Sequence, residues 1–186
     1  LRSILRQDPD IIMIGEIRDT ETAEIAVQAS ITGHLVVSTL HTNSSAATIT
    51  RLLDMGVESY LIADSVVGVI AQRLVRRLCT ACRRQRSATD IEKEQMGLPA
   101  DQDVKIYDAV GCRLCGDTGY YGRVGVYEIM EITPELKHII AAKGTTEKIR
   151  EAAIRGGMST LHKSAADYVQ EGITTFSEML RVSFEQ

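Results

Sequence analysis

Eight side chains in this sequence have types and spacing suited to chemistry: Glu16, Arg18, His34 and His41, then Cys79, Cys82, Cys112 and Cys115. The cysteines form two Cys-x-x-Cys pairs, Cys79-Thr-Ala-Cys82 and Cys112-Arg-Leu-Cys115, with 29 residues between the pairs. Each pair can aim two thiolates at one ion, and four thiolates complete the closed tetrahedral shell that zinc prefers. Such a shell has no open position for substrate, so the ion would be structural. Disulfides, four buried thiols or one redox-active pair are the alternatives. No secretion signal opens the sequence, and a reducing compartment disfavours disulfides.

Glu16 and His41 suit a different chemistry. Each follows a short aliphatic run, and in an open parallel sheet ligands bind beyond the carboxyl ends of the strands. Neighbouring strands lie ~4.8 Å apart, so both side chains could reach one ligand. A carboxylate so placed in a nucleotide hydrolase orients the attacking water or holds Mg²⁺ through water. His34 precedes the second run instead. Seven extended residues span roughly 23 Å, so His34 and His41 should mark opposite sheet edges. The ordinary alternatives are an ion pair between Glu16 and Arg18, and a capping role for His41 in its loop.

Particular elements must position these groups. Asp8-Pro9-Asp10 signals a turn before Ile11-Ile12-Met13-Ile14, an uninterrupted aliphatic run that reads as a fully buried strand of a parallel sheet. Thr20 is placed to N-cap a helix reaching about Thr32, with Glu21 and Glu24 near its positive end and Gly33 closing it. Residues 35–40 read as a second buried strand. Asn43 or Ser44 then caps a helix carrying Ile49, Leu52 and Leu53 on one face, and residues 66–78 read as a further strand. Strand, helix and strand together make a βαβ unit. Residues 79–130 hold the cysteine pairs, a polar stretch with a short helix at 90–96, and a Gly/Tyr-rich segment at 119–128 that reads as a hairpin. Residues 131–186 read as helical. Thr133-Pro134 starts one helix, Gly144 and Thr145 divide the next, and Thr175-Phe-Ser-Glu178 is a capping box.

Composition allows this organisation. The chain has 186 residues, 44% hydrophobic and 25% charged, which excludes a disordered or collagen-like class. Roughly 70% of the unfolded surface can be buried at this size, so a core needs no disulfide staples. The absence of tryptophan and the presence of only two phenylalanines predict an aliphatic core. A net charge of −4 argues against a nucleic-acid coat, and no apolar run approaches the ~20 residues of a membrane span. The sequence opens at Leu1 without a methionine, as a piece cut from a longer protein would.

The motifs now support a resemblance. Leu5-Arg-Gln-Asp-Pro-Asp-Ile-Ile-Met-Ile-Gly-Glu-Ile-Arg-Asp19 resembles the Walker B box of the secretion ATPase superfamily, and Thr32-Gly-His-Leu-Val-Val-Ser-Thr-Leu-His-Thr-Asn43 resembles its histidine box. With Gln72-Arg-Leu-Val-Arg-Arg-Leu-Cys79 and the two cysteine pairs, the chain resembles the type II secretion and type IV pilus assembly (extension) ATPases over nearly its whole length. The resemblance implies an α/β fold. Residues 1–78 would be the C-terminal part of a RecA-like P-loop NTPase core with a parallel-type sheet. Residues 79–130 would be a zinc-bound tetracysteine subdomain, and 131–186 a C-terminal helical region. It further implies Glu16 as the catalytic glutamate and His41 as the histidine approaching the terminal phosphate. Arg18 and His34 would be associated with the nucleotide, with structural Zn²⁺ on Cys79, Cys82, Cys112 and Cys115. The expected whole is a cytoplasmic homohexamer using ATP with Mg²⁺, peripheral at the inner face of the cytoplasmic membrane. It would work with inner-membrane secretion or pilus platform proteins and without specific nucleic acid.

One family feature is missing from the 186 residues: no Gly-x-x-x-x-Gly-Lys-Ser/Thr phosphate loop occurs. The isolated chain is therefore expected to hydrolyse ATP negligibly. Two other classes compete. Arg73, Arg76, Arg77, Arg83, Arg84 and Arg86 fall within fourteen residues that include no acid, as in a zinc-organised nucleic-acid or anionic-surface module. The run has no interleaved aromatics to stack bases. A metallohydrolase using His34, His41 and Glu16 is the other class.

Overall fold

The computed structural model describes residue 7 and residues 9–184. Leu1, the start of the Leu5 box and Asp8 of the turn signal lie outside the described residues. By internal packing the chain forms two compact units. One takes the chain through Ala71 together with Ile129–Met158; the other takes Gln72–Glu128 together with the chain from Ser159 onward.

In the first unit, β1 (Ile11–Ile14) pairs in parallel with β2 (Leu35–Ser38), Ile11 opposite Leu35 and Ile14 opposite Ser38. The helix between them, α1 (Thr20–Ile31), buries Ala23, Ala26, Val27 and Ala29. Its N-cap is Asp19 rather than Thr20. The Asp19 carboxylate accepts from the Thr22 amide at 2.8 Å, and that bond lowers its pKa. A carboxylate reaches the amide of the third helical residue as readily as a hydroxyl does, so the cap moves by one residue. Ser44, of the two candidates, caps α2 (Ser45–Asp54), whose core face includes Ile49 and Leu52.

The two strands are not buried on both faces as expected. Ile12 and Ile14 lie in the core, while Ile11 and Met13 are 63% and 76% exposed, and Leu35 and Val37 are exposed beside them. An aliphatic run reports that apolar surface exists on both faces; it does not report that helices from the same segment cover both. Two further pairs of helices complete this unit. α3 (Ser59–Ser65) packs on α5 (Pro134–Ala141), and α6 (Thr146–Arg155) packs on α2. Thr133 caps α5 as its sequence position predicts, and Thr145, at the expected break between helices, caps α6.

The segment from 119 to 128 is not a hairpin. It belongs to one long strand, β6 (Tyr120–Glu131), whose partner is β3 (Gly68–Leu78). With a distant strand available for the ladder, the alternating pattern needs no reversal of its own. Both strands cross a unit boundary: β3 at Ala71 and Gln72, β6 at Glu128 and Ile129.

In the second unit, β4 (Arg84–Ser87) and β5 (Lys105–Asp108) form an antiparallel ribbon that brackets α4 (Asp90–Gln95). Thr89 and Glu92 make the capping box of α4. Arg86 ties the assembly by contacting the Glu92 carboxylate at 2.6 Å and that of Asp108 at 3.0 Å. The last two helices are α7 (Leu161–Gln170) and α8 (Phe176–Phe184). The Thr175 hydroxyl accepts from the Glu178 amide as a cap should, yet the Glu178 carboxylate does not return to it. Buried and only 1% exposed, it accepts from the Arg76 amide at 2.8 Å and from the Arg76 guanidinium at 2.9 and 3.0 Å. Burial pushes the Glu178 pKa up, but the bonds from Arg76 outweigh it and hold the carboxyl below its usual range. A charged fork competes better for a buried carboxylate than one backbone amide does.

Candidate active site and metal centre

The parallel ladder continues beyond the strands and thereby fixes the first site. The Ile17 amide donates to the Thr39 carbonyl at 2.9 Å, and the Thr39 hydroxyl donates to the Gly15 carbonyl at 2.6 Å. These two bonds clamp the segments after β1 and β2 side by side, so Glu16 and His41 emerge from the same end of the sheet. Oε2 of Glu16 lies 2.6 Å from Nε of Arg18 and 3.4 Å from Nε2 of His41. That oxygen is itself sheltered from solvent and accepts no aligned hydrogen bond, so both are close approaches with poor angles, the one to Arg18 an ion pair. Its partners are open to solvent: the Arg18 side chain is 72% and the His41 side chain 86% exposed. The ion pair with Arg18 and the convergence with His41 therefore coexist.

His34 is held elsewhere. It stands at the start of β2, where Nδ1 lies 3.0 Å from the Ala29 carbonyl and 3.3 Å from the Thr32 hydroxyl, closing the C-terminal end of α1. The separation read from strand length is thus the arrangement found, and a metal centre built from His34, His41 and Glu16 is not. Among the described residues, only the four cysteines bring His, Cys, Asp or Glu ligand atoms together in a group of three or more.

The second site is closed. All four sulfurs lie within 4.8 Å of one another. Cys79 and Cys112 are 3.9 Å apart, Cys82 and Cys115 also 3.9 Å, and Cys112 and Cys115 3.8 Å. Zinc–sulfur bonds of ~2.3 Å in a tetrahedron put sulfurs about 3.8 Å apart, whereas a disulfide requires ~2.05 Å. The cysteines are free, and their donor set fits a four-thiolate ion. Burial raises the Cys115 pKa, but amides outweigh it: those of Cys112 and Gly119 donate to its sulfur at 3.2 and 3.3 Å, and its pKa falls to about 6. At Cys82 burial prevails and raises the thiol to about 11.

Two glycines beside the cysteines make this geometry possible. Gly111 and Gly119 take φ of 113° and 77°; a Cβ there would sit 2.7 Å from the Asp117 carbonyl oxygen and 2.6 Å from the Ala109 side chain. Gly119 also accepts the Cys79 amide at 2.9 Å, joining the first knuckle to the second. Sequence reasoning passed over both residues. Their signal was a glycine directly before one cysteine pair and another four residues after it.

The arginine run is divided rather than continuous. Arg76 pairs with Glu178, Arg86 with Glu92 and Asp108, and Arg83 donates to the Gly172 carbonyl while lying over the Tyr107 ring.

Comparison with known proteins decides the lineage. The family described as Type II/IV secretion system protein matches residues 1–181. The chain belongs to that family. Among its relatives, the type IV pilus assembly ATPase PilB of Acinetobacter baylyi is 51% identical over 189 residues, covering 100% of this chain and 32% of that one. The type II secretion system protein HxcR of Pseudomonas aeruginosa is 49% identical over 183 residues, covering 98% of this chain and 35% of that one. The chain thus spans about a third of the length of the curated relatives it matches. The family fold is shared with solved structures. The pilus retraction motor PilT with bound ADP aligns at a TM-score of 0.67 with 24% identity, over 97% of this chain and 41% of that one. The Yersinia pseudotuberculosis ATPase DotB aligns at 0.69 with 20% identity, over 100% of this chain and 39% of that one. For this type II/IV secretion system protein the α/β fold is therefore established. Among its described residues no helix is long and apolar enough to cross a membrane.

Proposed function

We propose that this chain is the C-terminal part of a motor ATPase that couples ATP hydrolysis to assembly of a type IV pilus or a type II secretion pseudopilus. The observation that carries the reading is the meeting of Glu16 and His41 beyond the carboxyl ends of two parallel strands in a member of this family. In this role Glu16 accepts a proton from the water that attacks the terminal phosphate, and His41 lies beside that phosphate. Arg18 holds the Glu16 carboxylate when no nucleotide is bound. His34, held against α1, supports the fold of the histidine box rather than the phosphate.

In function, residues 1–78 are the C-terminal part of a RecA-like nucleotide core, 79–130 a tetracysteine subdomain and 131–186 a helical region. Cys79, Cys82, Cys112 and Cys115 hold a structural zinc ion, which ties the two knuckles together and takes no part in the reaction. The working form is a hexamer with ATP and Mg²⁺ on the cytoplasmic side of the inner membrane, attached through platform proteins. The 186 residues carry no phosphate loop, so the chain alone turns over ATP negligibly. The internal pairing of Arg76, Arg83 and Arg86 weighs against a nucleic-acid module, which needs its cations free for phosphates.

The test uses the longer protein with its phosphate loop. Glu16→Gln should still bind ATP while hydrolysis falls by roughly 10²–10⁴-fold, the range for loss of a general base. Hydrolysis at the unaltered rate would remove Glu16 from the catalytic role.

A further inference from the structure

Beside the cysteine knuckles lies an open cavity of about 320 Å³ whose walls include Arg77, Cys79, Thr80, Ala81, Leu114 and Tyr121. Leu114 and Tyr121 come from different elements, the 3-10 turn Arg113–Cys115 and β6, and are 73% and 69% exposed. Single exposed apolar side chains are ordinary; here two from different elements converge on one cavity. Arg77 supplies the polar component. Unlike those of Arg76, Arg83 and Arg86 in the same run, its side chain has no ion pair or hydrogen bond among the described residues. No acid is among the residues lining the cavity.

We infer that this cavity is a docking site for an acidic peptide segment of a partner protein. A carboxylate of the segment pairs with Arg77, and an adjacent apolar side chain lies against Leu114 and Tyr121. Charge complementarity selects the occupant. Arg77 is the one cation of the lining, no carboxylate among the described residues lies beside it to pair with it, and Cys79 is turned into the sulfur cluster at 5% exposure, so an anionic group of the segment is drawn to Arg77. Size selects it too. The cavity is at the low end for ligand pockets and suits one or two side chains. A nucleic-acid or lipid surface would call for an array of free cations, and one arginine lines this site. Arginine and tyrosine are also the side chains most often found to anchor protein contacts. The cysteine knuckles hold the lining in place without contributing a binding group of their own.

The test is fluorescence anisotropy of the chain, with zinc in the buffer, against a short labelled peptide alternating Glu with Leu and Phe. A Lys-for-Glu counterpart and a Ser-for-Leu/Phe counterpart serve as comparison probes. The acidic apolar peptide should bind saturably and more weakly as salt rises, and both counterparts should fail. Arg77→Glu should weaken binding about tenfold or more, and Tyr121→Ser about five- to tenfold. Arg84→Glu, an exposed change in the same run but outside the cavity, should alter it less than about twofold. All three positions are exposed, so zinc content and far-UV circular dichroism should match the parent chain. Absence of saturable binding, equal binding of the Lys peptide, or equal loss with Arg84→Glu would overturn the inference. It would also be overturned if anionic vesicles or an oligonucleotide bound more tightly than the peptide and lost that binding in Arg77→Glu.

Discussion

Around Cys79, Cys82, Cys112 and Cys115 every donor stands at coordinating distance from the others, and backbone amides already serve one of the sulfurs. Around Glu16 the clamp from Thr39 is equally firm, but the side chains it presents are not: Arg18 and His41 are largely open to solvent and contact Oε2 at poor angles. One centre is finished by the chain it belongs to, and the other is a prepared corner awaiting further groups. The difference fits the tasks proposed for them. An ion that only crosslinks needs a saturated shell, whereas a group that must receive substrate keeps open coordination and movable partners.

The largest expected effect breaks the closed centre. Structural zinc contributes on the order of 10 kcal/mol of apparent binding energy, so Cys79→Ser or chelation should disorder residues 79–120. Hydrogen exchange should then show amides in 79–120 losing protection while those of β1 and β2 keep theirs. Zinc below half an equivalent in chain purified without chelator would count heavily against a metallated centre.

The corner should behave in the opposite way. Glu16→Gln, expected from the proposed role to be costly to turnover in the longer protein, should change unfolding free energy by less than about 0.5 kcal/mol, as an isosteric change at a partly exposed side chain does. Equal destabilisation in thermal melts would make Glu16 a structural residue like the cysteines.

Between these extremes lies the arginine–carboxylate framework of the second unit. Glu178→Ala removes the buried partner of Arg76, but Arg76 is half exposed and can rehydrate, so the cost should be about 2 kcal/mol by urea unfolding. Acid tests the other pair. Hydrogen bonds from Arg86 outweigh burial and, with those from Thr89, depress the Glu92 pKa from 4.5 to about 2. A depressed carboxyl stabilises the fold fully above its unfolded value. The Arg86–Glu92 contribution should therefore be intact at pH 6 and lost as pH falls from about 4.5 towards 2. Its size should be about 2 kcal/mol, reduced by the partial exposure of Arg86, and it should vanish in Glu92→Gln. His34→Ala lies between this framework and the Glu16 corner in its effect on stability: about 0.5–1 kcal/mol from the helix end it closes, with hydrolysis by the longer protein near its parent value.

The candidate site residues are more legible in sequence than the surfaces they stand on. Cysteine spacing was enough to suggest one four-sulfur centre, and strand length was enough to separate His34 from His41. The exposure of Ile11 and Met13 was not readable, because an aliphatic run looks the same whether one face or both are covered. The ribbon of β4 and β5 escaped notice because Arg-Gln-Arg-Ser has no apolar alternation. Thr175-x-x-Glu178 read correctly as a helix start, but the glutamate's partner lies 102 positions away, beyond any local pattern.

The division of the chain also bears on any attempt to cut it. The polypeptide passes from one compact unit to the other after Ala71, after Glu128 and after Met158. No single cleavage yields an intact unit. A stop codon after Met158 would spare every cysteine, yet it would leave Arg76 without Glu178 and Tyr120 without the hydroxyl of Thr175. Grafting the cysteine-bearing unit into another protein would call for three junctions, two of them inside β3 and β6. Exchange between relatives by recombination should therefore favour wholesale replacement of this region over piecemeal transfer of its parts.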